Sequence, residues 1–180
     1  MSSKSAKILL TGLPGCGKTT AVMQIIANLN CKKVVGFYTQ EIREENSRKG
    51  FQWKRLDGPE GILAHIDIKS PFKVGKYRVD IAGFEKLVVP VLDFDRTDTE
   101  LFVIDEIGKM ECMSEKFVAA VRRLFTSDKS VLATVAQKGT GLISEVKNHP
   151  DTKSFNLTAQ NREKVVDEIS QILSFLKKAQ

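Results

Sequence analysis

The sequence predicts an α/β fold, a mainly parallel sheet flanked by helices with an antiparallel insertion after the second strand. Three observations carry this reading. Short strand-length runs (Ile8-Leu9-Leu10, Val34 to Thr39, Leu101-Phe102-Val103-Ile104, Ser130 to Val135) alternate with segments whose apolar residues recur at helical spacing. Residues from about 40 to 80 break that rhythm, with apolar stretches separated by polar breaks. Residues able to do chemistry follow two of the apolar runs directly, and in open parallel sheets ligands sit beyond the carboxyl ends of the strands.

In chain order, Met1 to Lys7 is short and polar, without the apolar core of a signal peptide. Ile8-Leu9-Leu10 reads as a buried strand ending at Thr11-Gly12. A glycine-rich turn leads into a helix from about Lys18 to Asn30, with Ala21, Val22, Ile25, Ile26 and Leu29 on its apolar face. Val34 to Thr39 is the second strand. In the insertion, Glu44-Glu45-Asn46-Ser47 marks a hairpin tip, and Gly58, Gly61, Pro71 and Gly75 punctuate the rest. Phe84, Leu87, Val88, Val91 and Leu92 define one helix face, with a kink expected at Pro90. Leu101 to Ile104 is a buried strand with acids at its carboxyl end. Ser114 caps a helix carrying Phe117, Val118, Val121, Leu124 and Phe125 on one side. Ser130 to Val135 is a strand, Gly141 to Asn148 a short helix and Ser154 to Leu157 a last strand. The C-terminal helix buries Val165, Val166, Ile169, Ile172, Leu173 and Leu176.

The 180 residues fit one domain, with 42% hydrophobic residues to build its core. Lys and Arg number 28 against 22 Asp and Glu, a net charge of +6 that suits a polyanionic ligand. No Lys/Arg block or aromatic-basic motif stands out, so nucleic acid is permitted but not indicated. Cys16, Cys31 and Cys112 are odd in number and lack CxxC spacing, which argues against a disulfide framework or a zinc site and for a reducing, cytoplasmic setting. No apolar run approaches the ~20 residues of a membrane span. A monomer away from the membrane is expected.

Two motifs carry chemistry. Gly12-Leu13-Pro14-Gly15-Cys16-Gly17-Lys18-Thr19 matches G-x-x-x-x-G-K-[ST], set between a strand and an amphipathic helix. Glycines let the backbone turn its N–H groups onto phosphate oxygens, and the helix start adds its positive dipole end. Lys18 should reach the β- and γ-phosphates, Thr19 should ligate Mg²⁺, and Thr20 adds a phosphate contact. This is a P-loop. The second motif, Leu101-Phe102-Val103-Ile104-Asp105-Glu106, is an apolar strand ending in acids, the Walker B arrangement. Asp105 would hold Mg²⁺ and Glu106 would orient or deprotonate the attacking water. Asp105-Glu106-Ile107-Gly108 also fits D-x-x-G, which would turn the Gly108 amide toward the γ-phosphate. No N-K-x-D follows, so the usual guanine-reading segment is missing. Lys109, Arg43, Arg48, Arg78 and Arg162 are candidates for a cation that stabilises the transition state. Cys16 reads as a tolerated small residue, and His65 and His149 lack metal-ligand spacing.

With these motifs in place the chain resembles the THEP-type nucleoside triphosphatases. The resemblance rests on Gly12 to Thr20, Gly36-Phe37-Tyr38-Thr39, Val74-Gly75-Lys76-Tyr77, Asp105-Glu106-Ile107-Gly108-Lys109-Met110-Glu111 and Asn161-Arg162, in that order. It implies a RecA-like P-loop fold and slow, base-tolerant, Mg²⁺-dependent hydrolysis of ATP, GTP, CTP and UTP. It also implies nucleotide-binding segments at Gly12–Thr19 and Leu101–Gly108. One departure is visible: relatives often read T-I-P after the fifth strand, where a γ-phosphate sensor could sit. This chain reads Thr134-Val135-Ala136-Gln137. Two other readings compete. One is a small-molecule kinase with residues 40–80 as its lid, and the other a nucleotide-gated RNA- or protein-binding switch.

Overall fold

The computed structural model describes residues 5–29 and 33–178, with side chains described as far as residue 175. Asn30, Cys31 and the side chain of Leu176 lie outside the described residues. The strands are β1 (Lys7–Thr11), β2 (Val34–Glu44), β3 (Ser47–Arg55), β4 (Glu60–His65), β5 (Lys73–Val74), β6 (Tyr77–Val79), β7 (Leu101–Ile107), β8 (Val131–Val135) and β9 (Thr152–Asn156). The helices are α1 (Lys18–Asn28), α2 (Ile81–Leu87), α3 (Glu115–Thr126), α4 (Leu142–Asn148) and α5 (Arg162–Lys178).

All nine strands join one sheet in the order β5-β6-β4-β3-β2-β7-β8-β1-β9. β2, β7, β8, β1 and β9 run parallel, and β3 to β6 extend the sheet antiparallel from β2. Helices cover both faces of the parallel part, which is why β1, β7 and β8 are apolar almost without alternation. The pleat still sorts their residues. Ile8, Leu10, Leu101, Val103 and Leu132 pack with α1 and α5. Leu9, Phe102, Ile104, Val131 and Ala133 face the other way, onto α2, α3 and α4.

β2 belongs to both parts of the sheet. Val34 to Tyr38 pair with Leu101 to Asp105 of β7, and Phe37 to Glu44 pair with β3. The strand therefore runs five residues beyond the expected Thr39, because β3 supplies partners after β7 has ended. Glu45 and Asn46 have φ of 45° and 62°, the left-handed pair that a two-residue hairpin turn requires. Gly36 lies opposite Val103 with φ of 136°, and a Cβ there would stand 1.9 Å from the Val103 carbonyl oxygen. A bare backbone at Gly36 is thus what lets β2 close on β7. Three residues further along β2, Thr39 pairs with Trp53 of β3, which is 1% exposed and lies with its ring over Gly61.

The segment around Pro90 differs from the expected kinked helix. α2 stops at Leu87, and Val89–Leu92 forms a separate 3-10 turn. Pro90 has no N–H to continue the ladder, and its ring would clash with the carbonyl four residues earlier. Leu87 consequently leaves the buried face and is 40% exposed, while Phe84, Val88, Val91 and Leu92 stay in the core. The cap of α3 is as expected: the Ser114 hydroxyl accepts from the Phe117 N–H at 3.0 Å and donates to Glu85 at 2.8 Å.

Candidate active site

β1 hands the chain to the Gly12–Gly17 loop, where Leu157, Arg162 and the loop's own Cys16 leave no room for side chains on its first and last glycines. A Cβ on Gly12 would stand 2.6 Å from the Leu157 carbonyl oxygen and 2.7 Å from the Cys16 sulfur. One on Gly17, at φ of 92°, would stand 2.7 Å from the Arg162 guanidinium. The Cys16 N–H donates to the Leu13 carbonyl at 3.2 Å and closes the turn. Cys16 is half-buried filler against Gly12, in keeping with a small tolerated residue. Helix α1 starts without a side-chain cap, so the N–H groups of its first turn remain available to an anion. Lys18 reaches back across the loop and donates to the carbonyls of Gly12 and Leu13 at 3.2 and 3.4 Å. Leu13, at 66% exposure, forms the outer lip.

Asp105 is the point where three strands and a helix meet. It is 1% exposed, on the α1 side of the sheet. One carboxylate oxygen accepts from the Thr19 hydroxyl at 2.6 Å and the other from the Thr134 hydroxyl of β8. Thr39 of β2 adds a backbone hydrogen bond. Burial pushes the Asp105 carboxyl above its ordinary range, while Thr134, Thr19 and nearby Lys18 pull it back. Glu106 follows across a cis peptide bond, and the register of β7 against β8 shifts between Ile104 and Ile107. Burial raises the Glu106 carboxyl too, opposed by Lys18 and reinforced by Asp105.

The structure also sorts the remaining candidates. Arg43 and Arg48 both engage Glu41 on the β2–β3 hairpin, at 2.7 and 2.9 Å, and Arg78 donates to the Ser70 carbonyl at 2.8 Å. These three serve the insertion. Arg162 heads α5 with its guanidinium against Gly17, so it alone of the arginines touches the P-loop among the described contacts. Asn161 is committed to its own loop: its side chain accepts from the Thr158 N–H at 2.8 Å and donates to the Asn156 carbonyl at 2.9 Å. The Gln137 carbonyl accepts from Lys147 at 2.7 Å.

Two residues gain a definite part at the site. Thr134, which the sequence offered only at a strand end where a γ-phosphate sensor could sit, holds Asp105 instead. Glu111 is 5% exposed in the turn after β7, and burial followed by the charge of Glu106 pushes its carboxyl up to about 8. A Cβ on Gly108 would meet an oxygen of Glu111 at 2.8 Å and one of Glu106 at 3.0 Å, so the two carboxyl groups converge on that glycine.

No group of three His, Cys, Asp or Glu able to hold a metal occurs among the described residues. One carboxylate with one hydroxyl is instead the hard-oxygen donor set that Mg²⁺ uses when phosphates supply further ligands. Asp105 and Thr19 fit that ion. No helix among the described residues is long and apolar enough to cross a membrane.

A glycine loop at a helix start, its lysine, and a buried strand-end aspartate hydrogen-bonded to the loop threonine define a P-loop NTPase fold of the RecA-like kind. The comparisons with known proteins narrow the class. A protein-family profile described as "NTPase" matches residues 7–170. The chain is 42% identical over 169 residues to the nucleoside-triphosphatase THEP1 of Thermotoga sp. (strain RQ2), covering 94% of this chain and 96% of that one. It is 37% identical over 177 residues to the human cancer-related nucleoside-triphosphatase, covering 90% and 93%. The crystal structure of THEP1 from Aquifex aeolicus superimposes with a TM-score of 0.83 at 34% identity, covering 93% of this chain and 98% of that one. The chain belongs to this nucleoside-triphosphatase family.

Proposed function

We propose that this chain is a Mg²⁺-dependent nucleoside triphosphatase that hydrolyses ATP, GTP, CTP and UTP to diphosphate and phosphate with little regard for the base. The observation that carries the reading is Asp105, fixed by Thr19 on one oxygen and Thr134 on the other, with Glu106 next in the chain. The P-loop amides and Lys18 bind and orient the phosphates. Thr19 and Asp105 would hold Mg²⁺, which neutralises charge on the β- and γ-phosphates when bound. Thr134 keeps Asp105 from rotating away from Thr19. Glu106 orients a water and accepts its proton as the γ-phosphorus is attacked. Asp105 is turned to Thr19 and Thr134 while Glu106 lines a cleft with Gly108 and Glu111, so the two carboxylates do not compete for the same atoms.

Base tolerance rests on the missing N-K-x-D and on contacts that fall at the phosphates, with Arg162, against Gly17, as a candidate to stack on the base. A guanidinium can stack on any base, because every base has a π-face, and stacking of this kind adds affinity without reading hydrogen-bond patterns. Comparing kcat/KM for the four common nucleoside triphosphates tests it. A preference above about a thousandfold, worth ~4 kcal/mol, would mean a hydrogen-bonding base pocket and would overturn the reading.

The hydrolytic step is tested by Glu106→Gln, which keeps the side chain's size and removes its basicity. Triphosphate binding should persist while kcat falls by about 10²–10⁴. A folded Glu106→Gln enzyme that hydrolyses ATP at the parent rate would remove Glu106 from the mechanism.

A further inference from the structure

Hydrolysis needs room for one water beside Glu106, yet the space there is much larger. A cleft of about 280 Å³ opens at Glu106, between the antiparallel insertion and the segment that follows β7. That volume lies just below the ~300 Å³ of the smallest sites that bind small molecules. No residue of the P-loop lines it. Its apolar wall comes from Phe51, Leu63 and Val74 of the insertion and Met110 of the post-β7 turn. Leu63 is spent on the core, but Phe51, Val74 and Met110 are only partly buried and keep surface to offer. Tyr77 packs edge-on against Phe51 at 5.2 Å and steadies its ring. Glu106 and Glu111 supply the acidic groups of the cleft, converging on Gly108.

We propose that this cleft holds a second substrate, a nucleoside, and that the chain transfers the γ-phosphoryl group of the bound triphosphate to a nucleoside hydroxyl. The proposal rests on Glu106 being the group that accepts the nucleophile's proton. An alcohol in the cleft meets the same carboxylate that a water would. Its oxygen forms a bond to the γ-phosphorus and its proton passes to Glu106. The bond from the γ-phosphorus to the β–γ bridging oxygen breaks, and that oxygen leaves with the electron pair on the diphosphate. The products are a nucleoside diphosphate and a nucleoside monophosphate.

The lining selects the acceptor class. A nucleoside brings a flat, weakly polar ring for the Phe51 and Met110 surfaces and several hydroxyl donors for the carboxyl groups. A nucleoside monophosphate would have to bring its phosphate, as the nucleophile, against the ionised Glu106 that takes the proton, with Lys109 as the one cation in the lining, whereas a nucleoside hydroxyl meets no such repulsion. The acceptor is therefore neutral.

The test follows the γ-phosphoryl group. The full chain is incubated with Mg²⁺ and γ-labelled ATP, alone and with millimolar adenosine, guanosine, cytidine or uridine, and in parallel with AMP and CMP. Label is expected in a nucleoside monophosphate with at least one nucleoside, and in no nucleoside diphosphate when AMP or CMP is the acceptor. Val74→Trp, which fills the cleft from the insertion side, should lower the ratio of monophosphate to inorganic phosphate by at least about tenfold. A merely structural effect would lower both products together and keep the ratio, and that result overturns the site. Label in inorganic phosphate alone with all four nucleosides overturns the transfer and leaves the hydrolase reading standing. Parent-rate hydrolysis by Glu106→Gln removes that base instead, whatever the acceptor arms give.

Discussion

Glu111 holds a carboxyl group where water barely reaches, beside a second acid. Its folded-state value of about 8 lies above the 4.5 of an ordinary glutamate. Between those two pH values the native protein keeps a proton that the unfolded chain has released. The native state thus binds more protons, and stability falls as pH rises through the window, by up to about 1.4 kcal/mol per pH unit. Above about 8 the native carboxyl ionises too, and this contribution stops changing. Glu111→Gln has no proton to lose. Its stability relative to the parent should rise steadily from pH 5 to pH 8, read from urea midpoints across that range. Parallel pH curves for parent and variant would mean the native carboxyl is ionised throughout. At this scale much of the candidate site was legible in the sequence, because P-loop and strand-end acids are contiguous strings. Arg162 was a candidate and Thr134 stood at a strand end, but their contacts were not legible: 29 residues separate Thr134 from Asp105, and only the order of strands brings β8 beside β7. The hydrogen bonds of Arg43 and Arg48 to Glu41 depend on a hairpin register that composition does not encode.

The close approach of β2 to β7 sets the distance between the insertion and the phosphate site. Gly36→Ala would drive a Cβ into backbone atoms of Val103, with the carbonyl oxygen at 1.9 Å and the nitrogen at 2.9 Å, at a φ of 136°. Backbone cannot rotate out of the way as a flexible side chain can. The expected loss is on the order of 3 kcal/mol or more, as for other strained positions with no room to relax. Denaturant melts followed by circular dichroism measure it, and a parent-like midpoint would mean that β2 is free to slide. The parallel elements were legible because runs such as Leu101 to Ile104 declare themselves by apolar content alone. Lengths were harder. β2 looked finished at Thr39 because Gln40 and Glu41 are polar, yet β3 gives that exposed half a partner. The spacing of Phe84, Leu87 and Val91 supports a helix with a kink at Pro90, but the missing N–H ends α2 at Leu87 and leaves a separate turn instead of a bend.

Across the whole molecule one sheet carries two kinds of pairing, and β2 is the strand they share. Its N-terminal half is locked between β7 and the core, and its C-terminal half carries the insertion. Thr39 lies at the changeover, with a backbone bond to Asp105 on one side and Trp53 opposite it on the other. This makes the chain's single tryptophan an optical reporter of its phosphate site. Indole emission responds to small changes in nearby dipoles, and no second indole dilutes the signal. Adding Mg²⁺ with a nonhydrolysable ATP analogue should change the intensity of Trp53 fluorescence at saturable concentrations. Lys18→Ala should leave it dark to the same titration, because the phosphate loses its cation. An unchanged spectrum in the parent protein under conditions where calorimetry shows binding would mean that the insertion does not sense the nucleotide at all.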